Sequence, residues 1–332
     1  MEYRTLGRSG IRVSRFGLGS MMFGGPADPA ESMRIIDAAL DMGVNFIDTA
    51  NVYNAGESER IVGRAIVDRR DQVVLATKAS LPVGSGPNDS GTGRSHLIRE
   101  LEKSLRRLET DFVDIFYVHA PDPLTPVEET LRVLDDMVKS GKVRYIGCSN
   151  YRAWRLCESL WTSDRLNLHR FSCVQPLYNA LNRDIEVELL PLCLEHGVGV
   201  VTYSPLARGV LTGKYQVGSK PPGGSRAARG DARIQQTELN DAKIAASGQI
   251  ADYCGSRDVA PSQFAIAWCL ASPVVTCVIM GPRTLEQFQD NCGALDVSIS
   301  SDDEKFIDSL VPPGEHAGRG LQDPAFPIDG RG

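Results

Sequence analysis

Four side chains that could hold or transfer a proton stand between residues 48 and 119 of the sequence. Asp48, Lys78 and His119 each stand at the end of a short apolar run or directly after it, and Tyr53 comes five residues after Asp48. A tyrosine is a weak acid at neutral pH, with an ordinary pKa of about 10. A neighbouring lysine cation favours the phenolate, and a carboxylate can hold that lysine in its charged form.

These residue types suit the reduction of a carbonyl group. A neutral His119 could orient the carbonyl while Tyr53 donates a proton to its oxygen, provided that a cofactor delivers hydride. Each residue taken singly also has a structural explanation, such as a solvated loop lysine or a turn cap at Asp48. Three ionisable groups buried at one place must pair with one another, and such a cluster favours a functional site over three separate structural roles. A Schiff-base aldolase with Lys78 as nucleophile is an alternative, but it leaves Tyr53 without a role.

The elements that must position these residues alternate regularly. Short apolar runs, typical of parallel strands covered on both faces, are separated by segments with helical periodicity. The pattern predicts an α/β fold, a closed (β/α)8 TIM barrel formed by one domain over residues 1–332, with a doubly wound sheet as the alternative. The eight predicted strands are residues 15–19, 46–48, 73–77, 113–118, 143–146, 172–175, 198–202 and 277–279.

Helix ends are also marked in the sequence. Asp28 precedes a proline and Thr125 and Thr284 begin capping-box patterns, so each of the three is expected to cap the start of a helix. Gly141 is placed to end the fourth helix. Three segments do not fit the alternation: a predicted hairpin at residues 2–14, a basic segment rich in Gly and Pro at 213–234, and a tail at 312–332.

Composition limits the partners. The chain of 332 residues carries 36 basic and 42 acidic side chains, a net charge of −6, which argues against nucleic acid or an anionic membrane as the partner. The N-terminus shows no secretory signal, and prolines interrupt the uncharged stretch 259–282, so we expect no membrane span. Eight cysteines without a C-x-x-C pair predict free thiols in a reducing cytoplasm, with no metal site.

Several motifs along nearly the whole chain resemble those of the aldo-keto reductases. The matching segments are residues 43–50 with Tyr53 and 56–59, then 76–78, 118–121 and 147–150. They continue with 174–175 and 178–179, then 203–209, and finally 281–283 with Gln287 and Asn291. The resemblance is to the branch of bacterial reductases and potassium-channel beta subunits. It implies a (β/α)8 barrel with an N-terminal hairpin and a long cofactor-covering loop. It also implies NADPH-dependent reduction of an aldehyde, ketone or sugar carbonyl, with Tyr53 as general acid beside Asp48, Lys78 and His119.

The same resemblance implies a set of cofactor-binding residues. The positions expected around the nicotinamide are Ser149, Asn150, Gln175 and Tyr203. Those expected at the pyrophosphate are Ser204, Leu206, Arg208 and Gly209, with Lys214 and Arg226 in the covering loop. Those expected at the adenosine end are Arg283, Gln287, Asp290 and Asn291, and Pro205 and Gly281 are further cofactor-binding positions.

Physical chemistry supports the adenosine end independently. Arg283 stands where a helix should begin after the last strand, and barrel phosphate sites commonly use helix N-termini near strands seven and eight. An arginine there favours a 2′-phosphate, and therefore NADPH over NADH. The glycine-rich segments 209–215 and 17–19 lack the spacing of a P-loop or of a dinucleotide fingerprint.

An NADPH-binding auxiliary subunit of a channel with little turnover is the alternative function. The chain begins directly with the hairpin, so no partner-docking extension is expected, and a monomer or a homo-oligomer would both fit. The expected partner is a small carbonyl compound, sugar-like or hydrophobic. The candidate pocket walls are Met21, Met22, Phe23, residues 81–92, residues 121–124 and Phe326.

Overall fold

A computed structural model describes residues 1–318, 323 and 325. It contains a closed barrel of eight parallel strands in which neighbours along the sequence are neighbours in space. An antiparallel hairpin precedes the barrel. Both the (β/α)8 barrel and the hairpin are thereby confirmed, and the doubly wound sheet is excluded. Phe326, a predicted pocket wall, lies outside the described residues.

Each predicted strand is present, with ends that differ by no more than three residues. The hairpin consists of β1 (Tyr3–Thr5) and β2 (Arg12–Ser14). The barrel strands are β3 (Phe16–Gly19), β4 (Phe46–Asp48), β5 (Val74–Ala79), β6 (Val113–Val118), β7 (Val143–Ser149), β8 (Cys173–Gln175), β9 (Gly199–Thr202) and β10 (Val275–Met280).

The helices follow the strands as the alternation predicts. In chain order they are α1 (Pro29–Asp41), α2 (Glu57–Ile66), α3 (Arg94–Leu108), α4 (Val127–Lys139), α5 (Ala153–Leu166), α6 (Leu189–His196), α7 (Ala232–Thr237), α8 (Asp241–Gly255), α9 (Pro261–Ala271), α10 (Leu285–Cys292) and α11 (Ser301–Leu310). Short 3₁₀ segments lie at Tyr53–Gly56, Val67–Gln72, Asp184–Glu186, Ala207–Thr212 and Gly293–Asp296.

The chain divides into two compact units. The barrel unit comprises Met1–Pro176, Glu188–Tyr203 and Val274–Phe288, and therefore all ten strands and the helices α1 to α6. The second unit comprises Leu177–Val187, Ser204–Pro273 and the described residues from Gln289 onward, with α7, α8, α9 and α11. That residues 1–332 form one domain stays a prediction.

The barrel is filled by side chains from its own strands and from the hairpin. Leu6 and Val13 of the hairpin are fully buried in one cluster with Phe46, Ile115 and Val201. The hairpin packs closely against the barrel, as Gly7 shows. At this residue φ is +57°, and a Cβ atom built on it would lie 2.6 Å from backbone atoms of residues 172 and 199. Only glycine fits there, so the hairpin closes the barrel end at which the strands begin.

Two of the three predicted caps form. The carboxylate of Asp28 accepts a hydrogen bond from the Glu31 amide at 2.8 Å, and Thr284 Oγ1 accepts one from the Gln287 amide at 3.3 Å. The predicted cap at Thr125 is wrong. Its hydroxyl instead donates to the carboxylate of Asp122 at 2.6 Å. Pro126 takes the cap position of α4 without a side-chain hydrogen bond.

The glycine predicted to end the fourth helix does so: Gly141, at φ +76°, donates its amide to the Val138 carbonyl just after α4. Within the described ranges, no helix is long and apolar enough to cross a membrane. All eight cysteines are free thiols, and seven of them are buried, with Cys157 exposed.

Candidate active site

The predicted catalytic residues meet in the barrel unit at the carboxyl ends of β4, β5 and β6. The ammonium of Lys78, which is completely buried, forms an ion pair with the carboxylate of Asp48. The same nitrogen donates to the Thr49 carbonyl oxygen at 2.8 Å and to the Tyr53 hydroxyl at 3.3 Å. All three donors of Lys78 are therefore used, which fixes its position.

Burial and charge act against each other in this pair. Burial alone lowers the pKa of Lys78, but the charges of Asp48 and Tyr53 outweigh it, and the pKa is raised above its ordinary value. Burial raises the pKa of Asp48 against the opposing effect of Lys78 and Gln175. Gln175 Nε2 donates to the second carboxylate oxygen at 2.8 Å. Because both oxygens of Asp48 accept from donors, we take the pair as ionic.

Tyr53 is presented by a turn of unusual backbone conformation. Three residues in succession after it are left-handed, namely Asn54 at φ +45°, Ala55 at +55° and Gly56 at +86°. The Asn54 side chain secures the turn by donating to the carbonyl oxygens of residues 21 and 23 at 3.0 and 2.7 Å. Left-handed alanine is strained, and such strain collects at functional sites.

His119 completes the group. Its ring meets the Tyr53 ring edge to face at 5.8 Å between centroids. Its Nδ1 atom is buried and has no hydrogen-bond partner among the described residues. Burial and the nearby Lys78 charge hold the pKa of His119 well below its ordinary value. The imidazole is therefore neutral at pH 7 and can take part in a hydrogen bond without adding charge to the site.

The residues predicted to surround a nicotinamide join this network. Ser149 Oγ donates to the Gln175 carbonyl oxygen at 2.8 Å, and Asn150 Nδ2 donates to the His119 carbonyl oxygen at 2.9 Å. The Tyr203 hydroxyl donates to Asn150 Oδ1 at 2.8 Å. These side chains are therefore held in place by one another and by the backbone of His119.

The other predicted residues of the barrel unit lie around the start of α10. Gly281 and Arg283 precede the helix, and the Arg283 amide donates to Gln287 Oε1 at 3.0 Å. The Gln287 side chain thus binds the backbone amide of the residue that directly precedes Thr284. The side chain of Arg283 is half-buried.

In the second unit, the predicted pyrophosphate residues form a tight turn. Residues 204–209 include left-handed Ser204, at φ +56°, and Arg208, at φ +54°. A Cβ atom on Gly209 would lie 3.2 Å from the Lys214 ammonium. Pro205 and Leu206 lie within this turn.

Arg226 lies close enough to Arg208 to feel its charge. Its Nε pairs with Asp231 at 2.8 Å, whereas burial and the charge of Arg208 lower the pKa of Arg226. Arg208 and Arg226 therefore repel each other; together with Lys214, which lies next to Gly209, they are called the cation cluster below.

Asp290 and Asn291, predicted at the adenosine end, follow on α10 in the second unit. Asp290 accepts hydrogen bonds from Ser262 Oγ at 2.9 Å and Gln263 Nε2 at 3.1 Å, and Asn291 is buried.

Sequence reasoning overlooked some residues and misplaced one. The carbonyl of Thr49 holds Lys78, and the only signal for it was its place next to Asp48. In the sequence Glu59 stands out only as part of the segment 56–59, although its carboxylate is fully buried. Phe23 was predicted to line the pocket mouth and is instead completely buried, because an aromatic ring gains more from packing in the core than from facing water.

The chain is similar to known proteins over most of its length. The model of the Aldo/keto reductase family matches residues 15–312. A Bacillus subtilis (strain 168) protein named uncharacterized oxidoreductase YrpG is 39% identical over 326 residues, 95% of this chain and 97% of that protein. A probable voltage-gated potassium channel subunit beta of Arabidopsis thaliana is 40% identical over 305 residues, 90% of this chain and 92% of that protein. The chain therefore belongs to the aldo/keto reductase family of oxidoreductases.

Proposed function

We propose that this protein reduces an aldehyde, ketone or sugar carbonyl to the alcohol with NADPH, using Tyr53 as the proton donor. The observation that carries the proposal is the 3.3 Å contact between the Lys78 ammonium and the Tyr53 hydroxyl, backed by the buried Asp48 carboxylate. NADPH, when bound, supplies the hydride that adds to the carbonyl carbon.

Each member of the group has a part in the proton transfer. Tyr53 gives its hydroxyl proton to the carbonyl oxygen, and the Lys78 cation stabilises the phenolate left behind. This stabilisation is strong because the pair is buried away from water, and charges interact more strongly in a medium of low dielectric constant. Asp48 keeps Lys78 charged. Neutral His119 can orient the substrate oxygen by a hydrogen bond.

The residues around the catalytic group fit the nicotinamide end of the cofactor. Ser149, Asn150 and Gln175 present hydroxyl and amide groups, which are complementary to a carboxamide. Their mutual hydrogen bonds hold them in position before binding. Tyr203 offers an aromatic face on which a nicotinamide ring could stack.

The cation cluster fits the phosphates. An anion bound near Arg208 and Arg226 would offset the repulsion that lowers the pKa of Arg226. Ser204, Pro205, Leu206, Gly209 and Lys214 take the remaining pyrophosphate roles in this proposal. Arg283 is assigned to the 2′-phosphate, with Gly281, Gln287, Asp290 and Asn291 at the adenosine end.

Two alternative functions make different demands on the same residues. An auxiliary channel subunit is suggested by the names of relatives such as the Arabidopsis protein, and it would keep the bound cofactor with little turnover. The Schiff-base aldolase needs a neutral amine, and the raised pKa of Lys78 argues against it.

The free thiols of the eight cysteines support a location of the protein in the reducing cytoplasm.

The deciding experiment compares the wild type with Tyr53→Phe. NADPH and NADH oxidation is followed with a panel of short, aromatic and sugar aldehydes and ketones, and cofactor binding is measured by fluorescence. We expect turnover with NADPH to fall about 10²- to 10⁴-fold in Tyr53→Phe, the range ascribed to general acid catalysis, while NADPH still binds. Tyr145→Phe, at a half-buried tyrosine of β7, is the matched control and should keep wild-type turnover.

The outcomes separate the candidates. A wild-type protein that binds no nicotinamide nucleotide would overturn the proposal. NADPH binding without turnover on the whole panel would favour the auxiliary subunit. A substrate trapped on Lys78 by borohydride would favour the aldolase.

A further inference from the structure

The segment directly after the Tyr53 turn contains a buried acidic side chain to which the proposed mechanism gives no role. Glu59, in the first turn of α2, is completely buried. One of its carboxylate oxygens accepts a hydrogen bond from Thr77 Oγ1 at 2.6 Å, and the other accepts from Arg107 Nε at 2.6 Å. The carboxylate therefore links β5 to α3.

Arg107 also supports the turn that presents Tyr53. A Cβ atom built on Gly56 would lie 2.7 Å from Arg107 Cδ and 2.8 Å from its Nε. The arginine side chain therefore lies directly against the backbone of Gly56, the last residue of the turn. Its position is fixed further by a hydrogen bond from its Nη2 to Ser104 Oγ at 3.2 Å.

Through its contacts with Gly56 and Glu59, Arg107 is connected to both partners of the proposed proton transfer, Tyr53 and Lys78. Through Gly56 it reaches the turn that carries Tyr53. Through Glu59 it reaches Thr77, the residue before Lys78 on β5. Successive side chains of a strand point to opposite faces, so Thr77 meets α2 while Lys78 meets Asp48 inside the barrel.

We propose that Arg107, acting through Glu59 and Gly56, is a positioning residue that sets the separation of the Tyr53 hydroxyl and the Lys78 ammonium. The proposal rests on the proposed function, because it concerns the same proton donor. Arg107 itself touches neither reacting group.

Stability alone gives little reason for this pair. A buried ion pair is often no more stable than apolar side chains of similar volume. A strained turn, in contrast, keeps its shape only when its surroundings hold it, and here residues 54–56 are all left-handed. The rigid planar guanidinium can contact Gly56 and Glu59 at the same time, which a lysine cannot reproduce.

The test uses Arg107→Lys, which keeps the charge, and the double variant Glu59→Leu/Arg107→Leu, which removes it without leaving a lone buried ion. Arg106→Lys, at an exposed residue of the same helix, is the matched control. Each protein is examined for thermal unfolding, NADPH affinity, kcat and KM. Tyr53 ionisation is followed by absorbance at 295 nm, with the Tyr53→Phe titration subtracted.

For Arg107→Lys we expect kcat to fall about tenfold or more, since small displacements of reacting groups are costly. KM and NADPH affinity should stay at wild-type values. Tyr53 should ionise at a pH higher by about one unit, because the Lys78 cation no longer lies at hydrogen-bonding distance from the phenol. The double variant should show the same changes, and Arg106→Lys should show none.

A folded Arg107→Lys protein with wild-type kcat and wild-type Tyr53 ionisation would overturn the proposal. Loss of folding in both variants would also overturn it, because the pair would then serve stability. The titration needs no turnover. If the wild type reduces no carbonyl, the proposed function fails, and the titration still decides the role of Arg107.

Discussion

The two ends of the barrel are built in different ways. At the end where the strands begin, Leu6 and Val13 of the hairpin pack onto the apolar interior. At the end where the strands finish, Lys78, Asp48 and Gln175 form a buried polar network. Packing therefore closes one end, and charges joined by hydrogen bonds hold the other.

The difference shows how one sheet can serve stability and chemistry together. Tyr117 of β6 belongs to the packed interior and is in register with Lys78 of β5. His119, two residues further, already belongs to the site. Because parallel strands all finish at the same end, a short extension of each apolar run gathers the polar groups without disturbing the core.

Replacing Lys78 should have the largest effect of any change at the polar end. In Lys78→Met the Asp48 carboxylate stays buried without its cation, which should cost about 3–5 kcal/mol of unfolding free energy. Turnover should be lost as well. Urea unfolding and NADPH oxidation measure the two effects.

A double variant separates stability from chemistry at this position. Lys78→Met with Asp48→Asn removes both charges and should regain much of the lost stability while staying inactive. Equal stability of the single and the double variant would mean that the buried carboxylate carries no penalty, and the contrast between the two ends would be lost.

At the packed end, Leu6→Ala should lower the unfolding free energy by about 2–5 kcal/mol, the usual cost of a cavity in a core. Turnover per folded molecule should not change, because the hairpin is remote from the polar network. Leu194→Ala, at a leucine whose surface is 70% exposed, is the control and should be nearly neutral. A lower kcat in folded Leu6→Ala would show that the two ends are coupled.

The smallest effect concerns pH. The pKa of His119 is lowered in the folded protein, so below the unfolded value of about 6.5 the unfolded chain binds a proton that the folded protein does not. Stability should therefore fall as the pH drops below about 6.5, by up to about 1.4 kcal/mol per pH unit. Urea unfolding between pH 7.5 and 5 should show a weaker dependence for His119→Gln.

His196→Gln is the control for this measurement, since His196 ends α6 and lies outside the polar network. It should keep the wild-type dependence on pH. An identical pH dependence of His119→Gln and wild type would mean that the imidazole is not held neutral.

The fold was predictable because its signals are local. Continuous apolar runs such as 113–118 predict buried parallel strands, and this strand has the predicted limits. Asp28 caps α1 as a local pattern predicts. Thr125 belongs to the same pattern and fails, because a carboxylate three residues earlier attracts its hydroxyl. Competition between two local partners is not visible in a motif.

The site was predictable where residues follow strands, and not where they depend on packing. Asp48, Lys78 and His119 could be placed together because parallel strands share an end. Arg107 could not, since it lies in a basic stretch of α3 that resembles a solvated helix face, and its partner Glu59 is 48 residues away. Phe23 shows the converse error, because its burial is decided by neighbours that are distant in sequence.

The cysteines are distributed so that their chemical labelling can measure local unfolding of the protein. Of the eight thiols, only that of Cys157 is exposed, on α5. A maleimide dye added under native conditions would therefore attach at one place without mutagenesis. The other seven thiols would be modified only as the surrounding structure opens, so mass spectrometry of labelled peptides could follow each part of the molecule separately.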